Sequence, residues 1–303
     1  MTDRDPVVVV VGAASRDITV DDPRGWRLGG GASYSALALA RLGIRTRALI
    51  GVDGLAATAD ELGVLEGAGV ELVALPLARG PVFVNVETAD GRVQESREVS
   101  DPIEVTTIPR GWLGADGWMF APVAAELPDA WSTIPDDGSL VGLGWQGLLR
   151  VLRAGGPVER VQPGPSPLVK RADVVGVGTD DFERGTPLKE LAAYVGPGDT
   201  LLVTDGARGG TVIVTAPDGL SRTRDRWAAI PIPHLVDPTG AGDTFLAGVF
   251  AARLVPSLLG DRVGDDLDLR FGAAAASLVC EGPGLGAVPE LAAVLERLDA
   301  VPA

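Results

Sequence analysis

A chain of 303 residues with 46% apolar and 22% charged side chains has ample material for a buried core, which excludes disorder as the default. Acidic residues outnumber basic ones by 41 to 26, so a net charge of −15 offers no basic surface for a nucleic-acid backbone, and a small-molecule partner is expected. One cysteine and one histidine exclude a disulfide framework and a zinc centre, and no apolar run is long enough to span a membrane, so a cytoplasmic location is expected.

The opening apolar run, Val7 to Val11, follows acidic rather than basic residues and reads as a buried strand, not a signal peptide. The spacing predicts a helix from about Ser33 to Leu42, then strands at Arg47 to Val52 and Val70 to Leu75. The stretch PVFVNVETADGRVQESREV alternates apolar and polar residues about Asp90-Gly91, the signature of a hairpin with one solvated face. Such an insertion is either a lid over a cleft or an ordinary edge hairpin. Strands follow at Trp118 to Val123, Leu140 to Leu143, Asp173 to Val177 and Leu201 to Thr204, with a hairpin arm at Thr211 to Thr215. Helices are expected at Asp243 to Leu254, Leu267 to Val279 and Pro289 to Leu298. This alternation is written for an α/β fold, a mostly parallel central sheet flanked by helices. PGPSP, at 163–167, has the composition of a linker, but like strands flank it, so one domain is read over 1–303. Cys280 follows the apolar run AAAASLV and reads as a core thiol.

Three glycine-rich stretches stand out. In HLVDPTGAGDTFLAGVF, Gly240, Ala241 and Gly242 leave bare amides at the start of an apolar helix, and Asp243 follows at once. Free N–H groups at a helix N-terminus form an anion site, and a carboxylate beside it can act as a base on whatever attacks that anion. In RLGGGASYSALALARLG, Gly29, Gly30 and Gly31 precede a helix, either as a flexible turn or to let backbone approach a ligand. In VTDGARGGTVIV, Gly206, Gly209 and Gly210 form either a hairpin turn or a phosphate cradle. No G-x-x-x-x-G-K-[ST] occurs, and no G-x-G-x-x-G follows the first strand, which removes the common NTPase and dinucleotide readings.

Together these segments resemble the ribokinase-like PfkB carbohydrate kinases, which carry a glycine pair before the first long helix and a D-x-x-G-A-G-D-x-F segment about 200 residues later. The likeness extends from VVVVVGAASRD through the lid hairpin to EGPGLGAVP, and FAPVAAELP with LVGLGWQGLLR points to a subgroup that includes inositol kinase-like members. The resemblance implies a ribokinase-like fold with a small β lid, its strands within about 12–28 and 78–105. It implies an ATP- and magnesium-dependent kinase of a small sugar, polyol or nucleoside, with a monovalent cation as a further cofactor to consider and a homodimer as a further state. Asp243 would take the proton of the substrate hydroxyl, remaining ionised at its helix N-terminus, while Gly240, Ala241 and Gly242 hold the γ-phosphoryl group. Asp17 would bind substrate hydroxyls, with Gly29, Gly30, Gly31, Tyr34 and Gln146 around it; Thr204, Gly206 and Gly209 would contact ATP.

Departures from the family pattern are expected to matter. Gly31 stands where ribokinases place a lysine. An N-x-x-E pattern that organises magnesium is replaced in ADVVGVGTDDF by Gly178 and Asp181, leaving Asp181 as the residue offered to the metal. Tyr34 replaces an asparagine; its ring either lines the pocket, favouring an inositol-like polyol first, a nucleoside second and ribose poorly, or fills the core. A catalytically weakened paralogue that binds such a ligand for regulation is the alternative to an enzyme.

Overall fold

The computed structural model describes residues 5–88, 91–219 and 222–301. In chain order its strands are β1 (Val7–Ala13), β2 (Ser15–Ile18), β3 (Trp26–Gly29), β4 (Arg45–Val52), β5 (Glu71–Pro76), β6 (Val82–Thr88), β7 (Gly91–Glu98), β8 (Gly117–Phe120), β9 (Leu140–Gly144), β10 (Arg150–Val151), β11 (Gly156–Pro157), β12 (Glu159–Arg160), β13 (Val174–Gly178), β14 (Thr200–Thr204), β15 (Gly210–Thr215) and β16 (Arg222–Trp227). The helices are α1 (Gly31–Arg41), α2 (Asp60–Gly67), α3 (Pro167–Arg171), α4 (Leu188–Ala192), α5 (Ala241–Leu254), α6 (Leu267–Val279) and α7 (Leu291–Ala300).

The central sheet has nine strands in the order β16-β15-β14-β13-β9-β8-β1-β4-β5. The seven from β14 to β5 are parallel, and β15 and β16 close one edge antiparallel. Every residue of β1 is buried, as expected of a parallel strand covered on both faces. Its pleat divides the core accordingly: Val8 and Val10 face the layer of α1, α5 and α6, whereas Val9 and Val11 face a second layer built on Trp118, Trp131 and Trp145. Helices α5 and α6 pack backbone to backbone at Gly248 and Gly272, where a Cβ on Gly248 would lie 2.8 Å from the Gly272 Cα.

A second sheet, in the order β11-β7-β6-β2-β3, stands apart from the first. It contains the expected hairpin, β6 paired antiparallel with β7, although the turn at Asp90 lies outside the described residues. β2 and β3 span 15–29, close to the expected range of about 12–28, but β11 comes from a later part of the chain. Strand β16, RTRDRW, escapes the sequence reading because its arginines and aspartate carry no apolar alternation.

Candidate active site

Strands β1, β8, β9, β13 and β14 run parallel and so end along one edge of the central sheet, the edge at which open α/β sheets bind ligands. Helices α1 and α5 both begin there. A Cβ on Gly31, the first residue of α1, would lie 2.7 Å from Asp243 Oδ1, so the Asp243 carboxylate rests directly against the start of α1. A Cβ on Gly240 would lie 2.2 Å from the Tyr34 ring, and Gly240 has a left-handed backbone with φ of +79°; both constraints require glycine. Asp243 therefore lies where two helix N-termini meet.

The start of α5 departs from expectation in two respects. No side chain caps the helix, and the Ala241 amide donates to the Pro238 carbonyl at 3.2 Å, closing a turn. Of the three amides expected to face an anion, those of Gly240 and Gly242 are left without a protein acceptor among the described residues. Asp243 is also not the permanently ionised acceptor that its helix position suggested. Burial, and then the Asp181 carboxylate, push its pKa up to about 7, against the opposing pull of the Arg150 guanidinium and its own amide. A carboxyl titrating near neutrality is suited to accept a proton and give it up.

On one side of Asp243 a cleft of about 340 Å³ separates the lid from the loop preceding α5. Asp17, Arg27, Tyr34, Asn85, Asp237 and Thr239 are among the residues that line it. Asp17 accepts a hydrogen bond from Ser15 Oγ at 3.1 Å, and a Cβ on Gly29 would come within 2.4 Å of its Oδ2. Gly30, with φ of +96°, turns the chain into α1. Asp237 accepts from the Thr239 amide at 2.9 Å and lies 3.8 Å from Arg27. Asp237, Arg27, Asn85 and Thr239 were not singled out in the sequence, although Asp237 opens the DPTGAGD segment that was. Tyr34 borders this cleft but is only 2% exposed, because its ring is spent against Gly240. Of the two expectations for Tyr34, the burial of its ring favours the one in which it fills the core, although the residue still borders the cleft. Burial, followed by the carboxylates of Asp237, Asp17 and Asp243, pushes the Tyr34 phenol up, so it serves as a neutral O–H donor.

On the other side stands a buried polar cluster. Asp181 Oδ1 accepts from Gln146 Nε2 at 2.8 Å and from Arg150 Nη2 at 3.4 Å, and its Oδ2 accepts from the Gly178 amide at 2.8 Å. Gln146, expected near the substrate, donates through Nε2 to Asp181 and is not among the residues that line the cleft. Asp181 was the residue offered to magnesium, and this donor set does not suit that role. Both oxygens are engaged by protein donors, one of them a guanidinium, and no group of three His, Cys, Asp or Glu side chains among the described residues is arranged to hold a metal ion. Beyond the cluster, the Thr204 hydroxyl donates to the Val177 carbonyl at 3.4 Å, and Gly206 and Gly209 both adopt positive φ in the loop between β14 and β15. Gly209 and Gly210 also lie against Trp227, which fixes them for packing whatever they bind.

Residues 166–291 match the family described as pfkB family carbohydrate kinase. A nucleoside kinase of Methanocaldococcus jannaschii is 30% identical over 140 residues, 44% of this chain and 41% of that protein. An acarbose 7(IV)-phosphotransferase of Actinoplanes sp. is 34% identical over 110 residues, 34% of this chain and 33% of that protein. The chain thus matches less than half the length of these curated relatives. A pyrophosphate-dependent kinase in the ribokinase family, solved with a pyrophosphate analogue and myo-inositol, superposes with a TM-score of 0.68 at 18% identity, covering 97% of this chain and 100% of that one. That likeness shows the fold, which is the ribokinase-like α/β architecture.

Proposed function

Since residues 166–291 match the pfkB carbohydrate kinase family and the chain as a whole has the ribokinase-like fold, we propose that this protein transfers a phosphoryl group from ATP to a hydroxyl of a small polyol, sugar or nucleoside. The observation that carries this reading is the placement of Asp243. Its carboxyl lies at the junction of two helix N-termini, near a cleft lined by hydroxyl-binding side chains, and titrates near neutral pH.

In this reading the acceptor enters the cleft, and Asp17, Asn85, Asp237 and Thr239 bind its hydroxyls. Asp243 accepts the proton of the attacking hydroxyl, and the Gly240 and Gly242 amides hold the phosphoryl oxygens. The Thr204–Gly210 loop receives the nucleotide. Any magnesium enters as the counter-ion of the triphosphate rather than on a prebuilt protein cage, since Asp181 is already bonded. The polar lining and the buried Tyr34 ring favour an inositol-like polyol as the acceptor; a base would find little aromatic surface to stack on.

The test is transfer of labelled γ-phosphate from ATP to a panel of cyclitols, pentoses, hexoses and nucleosides. Phosphorylated product with a cyclitol, at a kcat/KM at least tenfold above that with ribose, is the expected result. Tight binding of a panel member with no product would establish the alternative, a regulatory binding protein built on a kinase fold.

A further inference from the structure

Arg150 is the first residue of β10, immediately after the turn Trp145–Leu149 that follows β9. Its side chain is only 11% exposed, and an arginine stays charged at any physiological pH. Arg150 contrasts with the arginines that hold a carboxylate through two close contacts: Arg262 reaches Asp299 at 2.7 and 2.6 Å, and Arg24 reaches Glu61 at 2.8 and 2.6 Å. Arg150 reaches Asp181 through one Nη2 contact of 3.4 Å, while Asp181 takes its shorter bonds from Gln146 and the Gly178 amide. A guanidinium has five N–H groups, and the described residues give this one no other acceptor. A buried cation with unspent donors is costly to maintain for neutralisation alone. Arg150 is also close enough to Asp243 for each to alter the other's charge equilibrium.

We propose that Arg150 is a further catalytic residue, whose guanidinium contacts the transferring phosphoryl group while Asp181, fixed by Gln146 and Gly178, holds it in position. The inference rests on the kinase reading above. In the step it serves, the acceptor hydroxyl oxygen bonds to the γ-phosphorus of a nucleoside triphosphate. The bond to the β-phosphate oxygen breaks, its electron pair leaves with the diphosphate, and the hydroxyl proton passes to the Asp243 carboxylate. Negative charge spread over the three γ-oxygens in flight is what a fixed guanidinium stabilises.

The test compares Arg150→Met and Arg150→Lys with the wild type. Three readouts are used: kcat, the pH dependence of kcat/KM for the acceptor, and the ratio of ATP to ADP affinity. The groups facing Asp243 are Asp181 and Arg150, with Tyr34 and the Gly31 backbone on α1. Removing the Arg150 charge should therefore move the acid limb to higher pH. Arg150→Met should lose roughly 100-fold to 1000-fold in kcat with acceptor KM within threefold, the range of a lost oxyanion donor. It should also lose tenfold in ATP affinity with ADP affinity unchanged. Arg150→Lys, which keeps the charge, should leave the limb in place and restore kcat to within about tenfold of wild type. Equal losses in both variants with an unmoved limb, or an unaltered ATP to ADP ratio, would overturn the proposal and leave Arg150 as a structural partner of Asp181. A wild type that phosphorylates no acceptor counts against the kinase reading instead, and the affinity ratio still decides the role of Arg150.

Discussion

In the proposed reaction Asp243 is the proton acceptor, and its setting places two opposing requirements on the residue. In the folded chain its pKa is about 7 against an ordinary 3.8, because burial and Asp181 disfavour the charge. Between about pH 4 and pH 7 the folded state thus keeps a proton that the unfolded chain has released. Stability declines across that window, and the penalty is fully present above pH 7. Asp243→Asn keeps the shape and removes the titration. It should melt a few degrees above wild type at pH 8 and level with it at pH 4, while losing about 100-fold to 10,000-fold in kcat. Calorimetry at the two pH values with a single kinetic assay checks both. A variant that turns over at the wild-type rate removes Asp243 from the mechanism. The helix and the carboxylate at its start were legible in the sequence, because GAGD runs directly into an apolar helical pattern, although the Ala241 amide proves to be bonded to Pro238. Its raised pKa was not legible. It depends on Asp181, 62 positions away and brought near by the fold, and a one-dimensional pattern carries no burial.

At the scale of elements, apolar strands and alanine-rich helices announced themselves, and β1, β4, β13 and α6 fall within a few residues of where periodicity put them. Elements defined by pairing rather than by composition did not. β2, β3 and β10 to β12 are short, and β16 is charged; each is a strand only because a neighbour offers it hydrogen bonds. Likewise, nothing local in LVGLGWQGLLR indicates that the Gln146 amide donates to Asp181, 35 positions away. A structural counterpart is Glu126, in the loop after β8. Only 1% exposed, its carboxylate accepts from the Ala13, Val123 and Ala124 amides, tying the end of β1 to the floor beneath the site and holding Ala125 at φ +56°. Burial pushes this carboxyl up, and these three amides together with its own pull it back. Glu126→Ala would leave three buried donors unmet, at roughly 1 kcal/mol or more each, so Tm should fall by about 5 °C or more. Glu126→Gln, which accepts at one oxygen but presents an NH₂ at the other, should fall between. A melt of Glu126→Ala within 1 °C of wild type, roughly the shift expected of a neutral surface change, would contradict this account.

Across the whole molecule, residues as distant in sequence as Asp17, Arg150, Asp181, Thr204 and Asp243 are gathered by one rule: parallel strands end on a common edge, and helices start there. Arg16 on β2 grips Asp53 after β4 through a paired contact of 2.9 and 2.8 Å, anchoring the second sheet to the central one. The negative charge of the molecule is not spread evenly over its site. Asp17 and Asp237 line the cleft, whereas Arg150 stands beside Asp181; in the proposed function this separates a hydroxyl-binding end from a phosphate-binding one. The central claim is that the proton of the acceptor is taken by a carboxyl whose pKa this architecture has raised. The most direct measurement is kcat/KM for the phosphorylated acceptor as a function of pH from 5 to 9 in the wild type. The account predicts a tenfold fall per pH unit below an apparent pKa of about 7, absent from Asp243→Asn. A profile that stays flat down to pH 5 would contradict it.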